Sequence, residues 1–149
     1  MRRMLALLGI LVTIAAACSS GETTAGKISA ETLEIRMRDS AFVPKTLTVR
    51  RGQEIRFEFE NEGAVKHDAF IGDKDAQKDH EQEMRMQDDE KGMDADHGEH
   101  GMTTKGGITI GPGKHGTLTH RFTKKGTFYI GCHQAGHYAA GMKMRITVR

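Results

Sequence analysis

The sequence contains very little cysteine: Cys18 and Cys132 are the only two in 149 residues. A disulfide between them would only tie a flexible leader to the rest of the chain, so we expect the two thiols to have separate uses. An unpaired Cys132 in an oxidising compartment would need a chemical reason to be there.

Aromatic residues are also scarce, with no Trp, two Tyr and six Phe. The formal net charge of +2 hides an asymmetry, because residues 73–102 carry 11 acidic and 4 basic side chains, a net of −7, which leaves +9 elsewhere. A basic domain can indicate nucleic-acid binding. An exported chain with so few aromatic rings argues against that use, and we expect no nucleic-acid partner.

No hydrophobic run is long enough to span a bilayer comfortably. Arg2 and Arg3 precede an apolar run from Met4 to Ala17, which is typical of a signal peptide over residues 1–17. Small residues before Cys18 and a Ser/Gly/Thr-rich stretch after it resemble a bacterial lipoprotein cleavage site, which implies lipidation of Cys18. Ordinary cleavage near Ala17 is the alternative. Residues 18–28 are then a flexible tether, and we expect a periplasmic or cell-envelope protein held by lipid on Cys18.

Residues 29–149 predict one all-β domain. Short segments alternate apolar and polar residues between Gly-rich turns, and seven or eight such strands indicate a β-sandwich. The range 73–106 breaks this pattern as an insertion: helix formers predict a helix over 76–90, and the Gly-rich part over 92–107 predicts a loop.

The C-terminal part carries the residues with a distinct chemistry. Cys132, His137 and Met142 follow one another at C-x4-H-x4-M spacing between two predicted strands, and His67 lies in a strand far upstream. Two His, one Cys and one weak axial Met are the ligands of a blue-copper electron-transfer site.

With these ligands, the chain resembles the cupredoxins over roughly residues 30–149. The resemblance implies a Greek-key β-sandwich, with His67 on a middle strand and Cys132, His137 and Met142 on the loop between the last two strands. It also implies one type 1 copper site. The C-x4-GH-x3-GM pattern and the His/Met-rich insertion are similar to bacterial periplasmic cupredoxins associated with copper tolerance.

Several other residues compete for roles near this site. His133 follows Cys132, but neighbouring residues on an extended chain point apart, so we expect it to face solvent or a partner. Met144 is in phase with core positions, and His120 is expected to be semi-buried. Asp68 and Asn61 are both candidates for fixing His67 or the Cys132 loop, and the sequence does not choose between them.

The acidic insertion adds a second possibility, weak capture of additional copper. Thioethers prefer Cu(I) and imidazoles accept either oxidation state. The alternative is a solvated, charged loop. The candidate residues are His80, Met84, Met86, Met93, His97, His100 and Met102.

These features favour a non-enzymatic copper protein that transfers single electrons, handles copper, or does both, with a redox or copper-handling protein as its partner. A copper-dependent enzyme would need a further copper site, and no H-x-H pair occurs in the sequence. A copper storage or chaperone protein without a redox role stays open. So does a zinc-binding or structural module, although structural zinc sites rarely use Met.

Overall fold

A computed structural model describes residues 30–90, 103–104 and 106–149. The predicted signal peptide, Cys18 and tether lie outside these residues. In chain order the described elements are β1 Glu31–Arg38, β2 Ala41–Val43, β3 Thr46–Val49, β4 Glu54–Asn61, β5 His67–Gly72, α1 Lys74–Glu90, β6 Thr103–Thr104, β7 Gly107–Ile110, β8 His115–Arg121, β9 Gly126–Gly131 and β10 Lys143–Val148. Within the described ranges, no helix is both long and apolar enough to cross a membrane.

The strands form two sheets that pack as a sandwich. One sheet has the order β2-β1-β4-β8 and the other β3-β10-β9-β5-β7-β6. The β1–β4 and β3–β10 pairs are parallel, and the remaining pairs are antiparallel. The all-β sandwich prediction is confirmed, although the described residues contain two more short strands, β2 and β6, than the alternation pattern distinguishes.

The core lies between the sheets because each strand turns alternate apolar side chains inward. Phe57 and Phe122 meet edge to face with ring centroids 6.4 Å apart. Met144 is fully buried, and His120 is half-buried against Phe122, with ring centroids 4.6 Å apart. Both placements agree with the sequence-based expectation.

The predicted helix of the insertion is present, and it begins two residues earlier than expected. Asp73 is the reason, because its Oδ1 accepts a hydrogen bond from the Ala76 N–H and caps the first turn. The loop predicted over 92–107 is wrong at its C-terminal end, where Thr103 and Thr104 pair with β7. Residues 91–102 lie outside the described parts.

Helix α1 packs on the sheet through a fully buried amide, Gln77. Its Nε2 donates to the carbonyl oxygens of Phe70 at 3.0 Å and Tyr129 at 2.8 Å. These two carbonyls belong to the neighbouring strands β5 and β9, so the helix lies across the strands that lead to the predicted copper ligands.

Candidate metal centre

Two adjacent strands bring the first ligands together. His67 begins β5, and Cys132 directly follows β9. The strands pair antiparallel with Phe70 opposite Gly131, so the start of β5 and the end of β9 meet at one pole of the sandwich. Sheet pairing thus closes a sequence separation of 65 residues between the imidazole and the thiol.

The donor atoms of His67, Cys132 and His137 converge. Cys132 Sγ lies 3.7 Å from His67 Nδ1 and 3.4 Å from His137 Nδ1, and the two Nδ1 atoms are 3.2 Å apart. In the described parts of the chain, this is the single group of three or more His, Cys, Asp or Glu whose ligand atoms lie within 4.8 Å of one another. Both imidazoles therefore present Nδ1 toward the thiol.

The loop from Cys132 to Met142 is held by its own backbone. The Cys132 N–H donates to the Met142 carbonyl at 3.2 Å, and the Met142 N–H donates to the His137 carbonyl at 2.9 Å. Gly136 and Gly141 have φ values of 81° and 97°, a region that favours glycine, which explains their positions in the motif. Met142 is fully buried, and its role as the axial ligand stays a prediction.

Burial controls the protonation of the ligands. It raises the pKa of the Cys132 thiol to about 11, against a smaller opposing effect of the Asp68 and Gln134 backbone N–H groups. Burial, followed by the nearby His137, lowers the pKa of His67. The site therefore offers a neutral imidazole and a protonated thiol, and a bound metal ion would take the place of the thiol proton.

Asp68 fastens the ligand loop to the sheet. Its backbone N–H points at Cys132 Sγ, 3.4 Å away. Its Oδ1 accepts hydrogen bonds from Gln134 Nε2 at 2.6 Å and Thr109 Oγ1 at 3.0 Å. Of the two candidates for fixing the Cys132 loop, Asp68 is the one that contacts it.

Asn61 hydrogen-bonds to neither the His67 ring nor the Cys132 loop, and it bonds to backbone groups instead. The side chain is fully buried, and its Nδ2 donates to the carbonyl oxygens of Val65 and Ile110 at 2.8 and 2.9 Å. Its Oδ1 accepts from the Gly63 N–H at 2.9 Å. Asn61 thus shapes the turn that leads into His67 and does not bond to the imidazole.

The carboxylate that approaches His67 is Asp39, which sequence reasoning missed. Asp39 Oδ1 lies 3.7 Å from His67 Nε2 and accepts the Ala64 N–H at 2.8 Å. Gly63 makes this approach possible, because a Cβ at that position would lie 2.5 Å from Asp39 Oδ1 and 2.7 Å from His67 Nε2. Asp39 is in a turn distant in sequence, and no spacing signal links it to His67.

The expectation that His133 faces solvent or a partner is wrong. His133 is buried, its Nε2 donates to Gln77 Oε1 at 2.7 Å, and its ring stacks on Tyr138 with centroids 4.6 Å apart. Burial, assisted by the nearby His80, lowers the pKa of His133 to about 4. The chain does turn His133 away from the site, but α1 covers it.

The candidates for additional copper capture are only partly described. His80 is buried and stacks on Phe70, with ring centroids 4.0 Å apart. Met84 is half-buried, and Met86 is 65% exposed. Met93, His97, His100 and Met102 lie outside the described residues.

Comparison with known proteins identifies the fold family. The sequence matches the cupredoxin-like domain over residues 5–110. The chain belongs to the cupredoxin-like family. The matched region contains His67 but ends before the loop of Cys132, His137 and Met142.

Two relatives of this cupredoxin are named as copper proteins, and a solved structure has a similar fold. The chain is 34% identical over 119 residues to the copper-resistant cuproprotein CopI of Rubrivivax gelatinosus. The alignment covers 79% of this chain and 66% of that protein, which is just under two thirds of its length. The copper-resistant cuproprotein CopI of Pseudomonas aeruginosa is 28% identical, and that alignment covers 97% of this chain and 94% of the CopI chain. A dithionite-reduced auracyanin of Roseiflexus castenholzii has a TM-score of 0.63 and 27% identity, covering 81% of this chain and 98% of that one.

Copper is the cofactor of this cupredoxin, as predicted. Family membership supports it, and the donor set fits it independently, because one thiolate and two imidazoles suit copper better than they suit hard cations. Zinc also accepts these donors, but neither the family nor the named relatives point to it. His67, Cys132 and His137 would hold the copper ion.

Proposed function

We propose that this cupredoxin is an exported type 1 copper protein that transfers single electrons and handles copper outside the cytoplasm. The observation that carries the proposal is the convergence of His67, Cys132 and His137 donors at one pole of a rigid sandwich. Copper held there would supply the exchange of single electrons between Cu(I) and Cu(II), and Met142 would be a fourth, weak thioether donor.

The protein's contribution is to hold the donors in place through both oxidation states. Asp68 ties the Cys132 loop to the sheet, and the backbone bonds of Met142 fix the loop on itself. Burial of Cys132 and His67 keeps water away from the donors. His137 is half-exposed and offers one path for an electron between the copper and the surface.

Visible absorption tests the proposal. Adding Cu(II) to the metal-free protein should produce an intense thiolate-to-copper band, and Cys132→Ala should abolish it while the sandwich stays folded. His67→Ala and His137→Ala should alter the band. His133→Ala is the control, because that ring bonds Gln77 instead of facing the thiol; a large spectral change with unchanged circular dichroism of the sandwich and α1 would mean that the ligand set is wrong.

Copper tolerance is the second part of the proposal. It is supported by the relatives named as copper-resistant cuproproteins and by the His and Met residues of the insertion. His80 and Met84 are four residues apart on α1, so they lie on one helix face. We propose that the insertion binds additional Cu(I) weakly, which serves copper storage or delivery.

Substitution without a change of charge tests the insertion. His80 is buried against Phe70 and its replacement would disturb packing, so it stays in place. The other six insertion residues are changed to Ser, with every Asp and Glu retained: Met84, Met86, Met93, His97, His100 and Met102. Competition with a Cu(I) chelator should show a lower stoichiometry and an unchanged visible band. An unchanged stoichiometry would mean that the insertion is only a charged segment.

We further propose that the protein is a carrier and handler and not an enzyme. With Met142 as a fourth ligand, the proposed site keeps no open position for a substrate. Cys18 is proposed as a lipid anchor in the periplasm or cell envelope, with a redox or copper-handling protein as the partner. Mass spectrometry of the envelope fraction tests the anchor, since a chain cleaved near Ala17 would carry no lipid mass.

A further inference from the structure

His133 lies between the predicted copper site and the half-exposed ring of Tyr138. It is the covalent neighbour of Cys132, and its ring is buried. The ring stacks on Tyr138 with centroids 4.6 Å apart and an interplanar angle of 19°. Tyr138 is half-exposed. Two stacked rings thus lead from the backbone of the thiolate ligand to solvent.

Tyr138 opens into a groove of about 310 Å³ between α1 and the sheet. Tyr129 lines the same groove, and Lys143 Nζ lies 4.9 Å from the centre of the Tyr138 ring. His137 is not among the residues that line this groove, and its Nδ1 faces the donor cluster.

The rim of the groove is positively charged. Lys74, Lys78 and Lys143 line it together with Asp75 and Glu81. Glu81 forms an ion pair with Arg85 at 2.7 Å. Among the lining residues, three lysines against two carboxylates leave a net charge of +1, and Arg85, outside the groove, pairs with one of those carboxylates.

We propose that this lysine-rimmed groove is a docking site for the acidic face of a redox partner protein, and that the electron passes between partner and copper through Tyr138 and His133. The groove is too small for a folded protein, but it fits carboxylate side chains that reach the three lysines. The proposal rests on the proposed electron-transfer function and adds the surface, the route and the charge of the partner.

The transfer is a one-electron exchange without bond formation. Copper(I) held by His67, Cys132 and His137 would give up one electron to the oxidised partner and would become copper(II). In the experiment, hexacyanoferrate(III) takes the place of the negatively charged partner, accepts the electron and becomes hexacyanoferrate(II). No proton needs to move, because Tyr138 and His133 act as stacked π-systems and keep their protonation states.

Binding is tested first without any electron transfer. Hexacyanocobaltate(III) has the same charge as the probe but is redox-inert, and it is titrated into the ¹⁵N-labelled metal-free protein. The expected amide shifts centre on Lys74, Lys78, Tyr138 and Lys143. Shifts centred instead on Ala139 and Ala140, or spread evenly over all lysines, would overturn the docking site.

The oxidation rate of the Cu(I) protein is then measured by stopped flow. Lys74→Gln with Lys78→Gln should slow hexacyanoferrate(III) by about fivefold at low salt, because two charges near a trivalent anion are lost. Lys124→Gln with Lys125→Gln is the matched control, since it makes the same charge change in the turn at the opposite end of β9. Equal slowing in both pairs would refute the site.

The route is tested at Tyr138. Tyr138→Phe keeps the ring and should oxidise at the wild-type rate, whereas Tyr138→Leu should be slower with an unchanged visible band and reduction potential. Equal rates for Phe and Leu would refute the route. If Cu(II) gives no intense band in the wild type, the proposed function fails instead, and hexacyanocobaltate(III) binding still decides the docking site.

Discussion

Replacing Gln77 with Leu should lower the free energy of unfolding by about 2–3 kcal/mol. Gln77 makes three short hydrogen bonds, to the Phe70 and Tyr129 carbonyls and from His133 Nε2, at 3.0, 2.8 and 2.7 Å. Each contributes roughly 1 kcal/mol net, and an orphaned buried donor or acceptor costs about 1–3 kcal/mol. The apolar surface that Leu buries offsets part of this loss.

The loss in the free energy of unfolding cannot exceed the free energy of packing α1 on the sheet. If the loss were larger, the helix would leave the sheet and water would bind the groups that lost their hydrogen-bond partners. Urea unfolding followed by circular dichroism measures the change, and about 2–3 kcal/mol corresponds to a midpoint shift of roughly 1–2 M. Hydrogen exchange at α1 amides shows whether the helix detaches before the sandwich unfolds.

The matched control is Gln82→Leu, the same substitution at an exposed position of the same helix. It should change the free energy of unfolding by less than about 0.5 kcal/mol. If Gln77→Leu were equally silent, in both urea unfolding and helix exchange, the buried amide would not hold α1 on the sheet and the reasoning would be refuted.

Three further substitutions probe the metal centre and the core. Met142→Gln should keep copper and lower its reduction potential, because an amide oxygen favours Cu(II); redox titration with an unchanged potential would remove Met142 as the axial ligand. Asp39→Asn should raise the potential by about 20–40 mV, the effect of a screened charge near His67, and a lower potential would contradict that role. Burial lowers the pKa of His120 from 6.5. As the pH falls, the unfolded chain therefore binds a proton at His120 before the folded protein does, and stability is lost as pH falls through the folded pKa. His120→Leu should flatten that loss in thermal melts, and an unchanged pH slope would contradict it.

Local patterns are sufficient to predict the sandwich and the convergent residues. Alternation along a strand depends on neighbours two positions apart, so Ile55, Phe57 and Phe59 indicate an inward face without any knowledge of the partner strand. The C-x4-H-x4-M spacing places its donors on one loop, and the structure brings two of them to His67.

Other features depend on contacts between distant segments, which a single sequence does not reveal. Local geometry predicts a solvent-facing His133 because the residue points away from Cys132. The surface that covers it is α1, whose Gln77 lies 56 residues upstream. Asp39 reaches His67 only because β1 and β4 lie side by side and Gly63 leaves room. The short strand β6 has two threonines and too little length for a periodic signal.

The pairing of β5 with β9 links copper affinity to the folding reaction. His67 and Cys132 are 65 residues apart in sequence, so an unfolded chain loses loop-closure entropy before the two donors can meet. Copper that prefers the completed site shifts the folding equilibrium toward the native state, by about 2.7 kcal/mol when its free concentration is 100 times the Kd. Copper supply would thereby regulate the abundance of the protein after synthesis, because chains without metal spend more time in the state that proteases can cut.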